Sequence, residues 1–215
     1  MTAEDNLYDR LQEDLTWRIR ELSEIVRACK EATGTRKAAL LRASVPVIYA
    51  HWEGYFVFST NTYLNFLTEK RISIGMLRNE FWALTVRKRY KPQQVSGDIH
   101  FNRFLLEIRS EPDRIFKKGN FERINGASNL KSDVVIFCCG LVGIDHTPFR
   151  DYFEFIDEEL LNKRNHIAHG SSLRFDEEAI GVYREKVVDL MRITQNQIEN
   201  AVTAKTYLRK QPSIS

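Results

Sequence analysis

Cysteine, proline and glycine are all scarce in this chain. Its 215 residues include three cysteines, five prolines and ten glycines. The cysteines are Cys29, Cys138 and Cys139, and an odd count with an adjacent pair supplies no disulfide framework. No CxxC or HxxxH spacing marks a metal site. Charge is nearly balanced, with 32 Lys and Arg against 29 Asp and Glu, a formal net of +3. That balance, taken over the whole chain, points to no acidic partner. The longest apolar run, Val134 to Ile144, has 11 residues and is too short to cross a bilayer. The opening MTAEDNLYDR is acidic and polar, unlike a secretory signal. These absences predict a protein of the reducing cytoplasm that needs no metal, no cofactor and no membrane. What is present is an ordinary core: 43% hydrophobic residues, which excludes wholesale disorder.

With so few breakers, most of the chain carries helical periodicity. Leu7, Leu11, Leu15, Leu22, Ile25 and Val26 recur mostly at three- and four-residue steps, which predicts a first helix over 4–32, ended by Gly34. Thr35 is a candidate cap for a second helix running to about Lys70. Its centre, Val45 to Phe58, is apolar nearly all round, as suits the middle of a bundle, and Pro46 should bend it. A shorter helix is expected at 73–88. Ser132-Asp133 is a plausible cap for a helix over 133–143. Thr147-Pro148 opens another that carries Phe149, Phe153, Ile156, Leu160 and Ile167 on one stripe and stops at Gly170. Asp176 can cap a last helix over about 177–208. No alternating strand pattern or internal repeat is visible, so the predicted fold is one all-α domain with an insert.

The insert, about 87–131, differs in composition. It has 11 Lys and Arg against 5 Asp and Glu, whereas the remainder has 21 against 24. Pro92, Gly97, Pro112, Gly119 and Gly126 interrupt it, with room for a helix at 98–109. Such a stretch reads as a solvated, irregular surface loop, or as an electrostatic funnel for nucleic acid. On the second reading Arg87, Lys88, Arg89, Lys117 and Lys118 contribute affinity for RNA without supplying chemistry.

The chemistry-bearing segment is Arg164-Asn165-His166-Ile167-Ala168-His169-Gly170, at a helix end. RNA carries its own nucleophile, the 2′-hydroxyl, so cleavage needs a proton-transfer group and a cation on the phosphorane oxygens. Histidine suits the first task. The planar arginine fork suits the second. The plain alternative is that His166 or His169 caps the helix C-terminus against its dipole. Arg164 and His169 lie about 140° apart on a regular helix and converge only if the helix loosens near Gly170 or a second copy contributes its own pair. Glu53 lies near one stripe with Arg42, Val45, Tyr49 and Phe56. A carboxylate among aromatics requires a partner, either a core-edge cation such as Arg42 or Arg164 itself. His51, on the opposite side, reads as a packed histidine. Trp52, Tyr55 and Trp82 read as core or interface residues, and Cys138-Cys139 as buried core.

Arg164 and His169 form an Arg-x4-His signature, and Arg-Asn-x-Ile-Ala-His-Gly resembles the C-terminal motif of the HEPN superfamily (higher eukaryotes and prokaryotes nucleotide-binding). The segment Leu41-Arg42-Ala43-Ser44 to Tyr49-Ala50-His51-Trp52-Glu53-Gly54 is similar to the second-helix signature of its prokaryotic nuclease branch. The likeness covers roughly 1–85 and 130–208. It implies a bundle of four to five core helices that forms a homodimer. It also implies metal-independent endoribonuclease activity at a composite site, with Arg164 as the phosphate-binding cation and His169 as the second catalytic residue. Asn165, His166 and Glu53 would support them. Relatives of this kind act as toxins, in antiphage defence or in RNA processing, which implies RNA as substrate and a cognate antitoxin or other operon-encoded protein as a further partner. Some have lost catalysis and bind RNA, nucleotide or a protein partner instead, which is the alternative reading.

Overall fold

The computed structural model describes residues 1–90, 113–126 and 129–209. Helix α1 spans Ala3–Glu31 and opens on a reciprocal capping box between Thr2 and Asp5. Helix α2 spans Gly34–Glu69. Gly34 is its first residue, at φ +56°, so this glycine starts the second helix rather than ending the first, and Thr33 rather than Thr35 stands at the cap. After a 3₁₀ turn at Ile74–Met76 comes α3, Asn79–Tyr90. Helix α4 is Ser132–Val142, α5 is Asn162–Ala168 and α6 is Glu177–Thr203. Asp176 caps α6 as expected, accepting a hydrogen bond from the Ala179 N–H at 2.7 Å. That helix ends five residues before the expected limit. Among the described residues there is no strand ladder, only isolated bridges at Ser73–Ile115 and Leu77–Leu208. The fold is all-α.

Contacts at helix ends set the topology. The Tyr8 and Thr203 hydroxyls lie 3.2 Å apart, and Lys70 pairs with Glu4 at 2.6 Å. The C-termini of α2 and α6 therefore sit beside the N-terminus of α1, and both run antiparallel to it. Lys37 at the start of α2 pairs with Glu177 at the start of α6. Helix α2 is the central element. Val45, Ile48, Trp52, Tyr55, Phe56, Tyr63 and Leu64 are wholly buried and face neighbours on several sides, in accord with its apolar centre. Cys138 and Cys139 are buried too, and burial pushes their thiols up to about 11 and about 12, where they stay inert.

The chain between Thr147 and Ala168 is helical throughout but not regular. It begins as a 3₁₀ turn, Thr147–Tyr152, passes through a π-helical turn, Phe155–Leu161, and becomes α-helical only in α5. The five-residue period of the π turn buries two pairs, Phe155 with Leu160 and Ile156 with Leu161. A regular helix would instead have buried Phe153 and Ile167, which are only half-buried here. The expected stripe is thus corrected by one inserted residue just ahead of Arg164.

The basic segment is corrected as well. Residues 113–126 are not a solvated loop. Phe116, Phe121 and Ile124 are buried in the main core, and the Phe116 and Phe121 rings stack 5.0 Å apart. The backbone is irregular, so its polar groups are satisfied piecemeal. The Ile74 N–H donates to Arg114 O at 2.8 Å and the Phe116 N–H to Ile72 O at 2.9 Å. Buried Asn61 holds Ile124 at both ends, accepting from its N–H at 3.0 Å and donating to its carbonyl at 2.8 Å. The helix expected at 98–109 lies outside the described residues, as does the Arg89 side chain. Asn61→Ala would orphan both groups of Ile124, at a cost of about 1–3 kcal/mol for each. Urea unfolding should show the loss, and a change under about 1 kcal/mol would mean that the segment does not depend on this clamp.

Candidate functional site

Arg164 lies in the first turn of α5, beyond the π turn, and its guanidinium is half-buried. Its Cζ stands 4.5 Å from the centre of the Tyr49 ring, a cation–π contact. Nη1 donates to Asn165 Oδ1 at 2.7 Å and to Asn129 Oδ1 at 3.2 Å. Among the described residues, Nε and Nη2 make no hydrogen bond. The group is therefore oriented from one side and open on the other.

Tyr49 is itself fixed. It is buried on α2, and its hydroxyl accepts the Leu130 N–H at 2.7 Å. Burial pushes its phenol up to about 12, so it stays protonated and can donate as well as accept. Glu53, one turn on, is half-buried. Burial raises its carboxyl, opposed by the charge of Arg164 and by the Tyr49 hydroxyl. The charge that bears on Glu53 is that of Arg164, not that of Arg42. On its other side Glu53 abuts Gly126, where a Cβ would collide with the carboxylate oxygen and lie 2.9 Å from Cδ. Any larger residue there would displace the Glu53 carboxylate. Gly126, Asn129 and Leu130 thus touch Glu53, Arg164 and Tyr49 in turn. Just beyond them, Asp157 of the π turn accepts from both the N–H and the hydroxyl of Ser132 at 2.8 and 2.5 Å. Ser132 was expected to cap α4 itself; instead the π turn supplies the cap.

Helix α5 ends in a Schellman motif. The Ser171 N–H reaches His166 O at 2.9 Å, the Gly170 N–H reaches Ile167 O at 3.0 Å, and Gly170 takes φ +86°. His169 is the cap residue, outside regular helical geometry, and its side chain is exposed, as is that of His166. The C-terminal carbonyls are satisfied by backbone groups, so neither imidazole is needed as a cap. Among the described residues, no side chain hydrogen-bonds either one. The structure thus gathers Arg164, Asn165, Glu53 and Tyr49 and leaves His166 and His169 at the rim. His51 is buried on the far side of α2, 5.4 Å from Trp17 and 3.5 Å from Glu21, and takes no part. Tyr49, Asn129 and Gly126 were not anticipated as site residues. Tyr49 stood in the quoted second-helix segment, whereas nothing in the spacing marks Asn129.

The chain is thus an all-helical bundle with an Arg-x4-His pair at the end of one helix, faced by an acid and an aromatic from the central helix. The chain matches the family model HEPN_MAE_28990-like HEPN over residues 7–207, a span that runs through the basic segment as well. It belongs to that family. Neither the curated proteins nor the solved structures searched contain a match. No described helix is long and apolar enough to cross a membrane.

The state of Glu53 has a measurable consequence. A carboxyl raised above its unfolded value holds protons more tightly in the native state, so its ionisation opposes folding as pH rises through that window. Glu53→Gln should therefore be at least as stable as wild type at neutral pH. The difference should close below about pH 4, where both side chains are neutral. Urea unfolding at the two pH values checks this, and a variant less stable by the same margin at both would contradict it.

Proposed function

We propose that this HEPN protein is a metal-independent endoribonuclease acting as a homodimer, with Arg164 and His169 as its catalytic residues. The observation that carries the proposal is the state of Arg164: fixed by Tyr49, Asn129 and Asn165, with Nε and Nη2 uncommitted among the described residues. A guanidinium so placed is a fork for two phosphate oxygens. It stabilises charge where charge develops, without reorganising during the reaction.

The RNA 2′-hydroxyl attacks the adjacent phosphorus, the 5′-oxygen of the next nucleotide leaves, and a 2′,3′-cyclic phosphate remains. His169 takes the hydroxyl proton or protonates the leaving oxygen. An imidazole at an exposed helix cap is free to do either, but within one chain nothing described orients it. A second copy packed beside α5 would supply the facing wall, and a two-fold axis would place two Arg164–His169 pairs around one cleft. His166 stands at the same rim and Asn165 holds the arginine. A neutralising antitoxin or a role in defence is compatible with such an activity and belongs to the same proposal.

A time course on a defined RNA in excess EDTA tests this. Wild type should cut, leave 2′,3′-cyclic ends and spare substrates with a 2′-deoxy at the scissile position. Arg164→Ala should lose roughly 10²–10³-fold in rate, and His169→Ala roughly 10²–10⁴-fold. His169 is exposed, so its variant should melt like wild type. If both folded variants cut like wild type, the site lies elsewhere. If wild type cuts nothing across diverse RNAs, the module binds without catalysis.

A further inference from the structure

A cleft of about 320 Å³ opens between α3, α4 and the chain at 122–125. Its floor is apolar, from Leu84, Ile124, Val134, Cys138 and Leu141. Its rim carries three cations, Arg87, Lys88 and Arg123, and two carboxylates, Glu122 and Asp133. On α4, Phe137 is 52% exposed, which is unusual for a large aromatic, and the Arg87 guanidinium lies 5.2 Å from its ring centre. Lys88 donates to Phe121 O at 3.4 Å, tying the rim to the buried aromatic pair behind it.

We propose that this cleft is a subsite for a single RNA nucleotide, with its base against the Phe137–Arg87 stack and its phosphate on Arg123. The inference rests on the ribonuclease reading for the identity of the strand. Four features favour a nucleotide. Bases stack on aromatic rings and on guanidinium planes alike. A bare anion would gain nothing from the apolar floor or from the Asp133 carboxylate, whereas a base can donate an amino proton to Asp133. The volume is at the lower end for small-ligand sites, enough for one nucleotide but not for a docked helix. Finally, the wall at 122–125 continues directly into Gly126 against Glu53 and Asn129 on Arg164. Asn129 is four Cα steps beyond Asn125, at most about 14 Å of chain. An RNA strand whose scissile phosphate lies on Arg164 therefore passes close to the cleft. Lys117 and Lys118 do not line it, so the basic segment is divided: Arg87 and Lys88 face the subsite and the two later lysines do not.

The test uses the full chain and a short 2′-O-methyl oligoribonucleotide, which lacks the attacking hydroxyl, read by fluorescence anisotropy. Phe137→Ala and Arg123→Ala should each raise Kd, about 5- to 100-fold for the lost stacking platform, while Phe137→Trp should bind like wild type. On cleavable RNA the alanine variants should raise KM more than they lower kcat. Phe137 is half in solvent, so thermal melts should match wild type; if Phe137→Ala melts early, the Trp and Arg123 variants decide. Wild-type Kd and KM in the alanine variants would overturn the subsite while leaving the nuclease reading intact. Binding that depends on Phe137 in a protein that cuts no RNA would do the reverse.

Discussion

Tyr49 joins the core to the site. Its ring is buried on the central helix and carries the Arg164 guanidinium at 4.5 Å, and its hydroxyl holds the backbone of Leu130. A cation over a partly desolvated ring is worth about 0.5–2 kcal/mol. Of more consequence is that one side chain places two chain segments relative to α2. If the ring moved, Arg164 would lose its floor and Leu130 its anchor. Glu53 and Asn129 then act as the walls of the same seat, one by charge and one by a hydrogen bond.

The π turn is the other constraint. By inserting one residue ahead of α5 it rotates the helix end relative to the stripe that packs on the core. It also offers Asp157 to the first residue of α4. Helix α4 in turn presents Phe137 to the cleft. The site helix, the cleft helix and the central helix are thus linked by named bonds as well as by the shared core.

The outer long helices were legible from periodicity, because α1 and α6 bury regular stripes and because Asp176 is a strong cap. The all-round apolar character of 45–58 identified the central helix, and the Arg-Asn-x-Ile-Ala-His-Gly run marked the helix end that carries the candidate site. Residues 113–131 were not legible. Phe116, Phe121, Ile124 and Leu130 share no helical or strand period, and charged, polar and small residues separate them. Their burial depends on side chains distant in sequence, Asn61 and Tyr49, which satisfy an irregular backbone. The π turn was equally hidden, since Phe153 and Ile167 fit a regular stripe as well as the residues that are in fact buried. Asn129 is marked by no spacing at all; only the fold brings it to Arg164.

In the proposed reaction Arg164 acts through its planar fork and not merely through its charge. Arg164→Lys keeps the charge over the Tyr49 ring but presents a single ammonium in place of two aligned donors. The most direct measurement is kcat/KM on a defined RNA in excess EDTA, with RNA affinity and thermal melting measured on the same preparations. The account predicts a folded lysine variant that still binds RNA and cuts at least about tenfold more slowly, equivalent to about 1.4 kcal/mol of lost transition-state stabilisation. A lysine variant that cuts at the wild-type rate would contradict it.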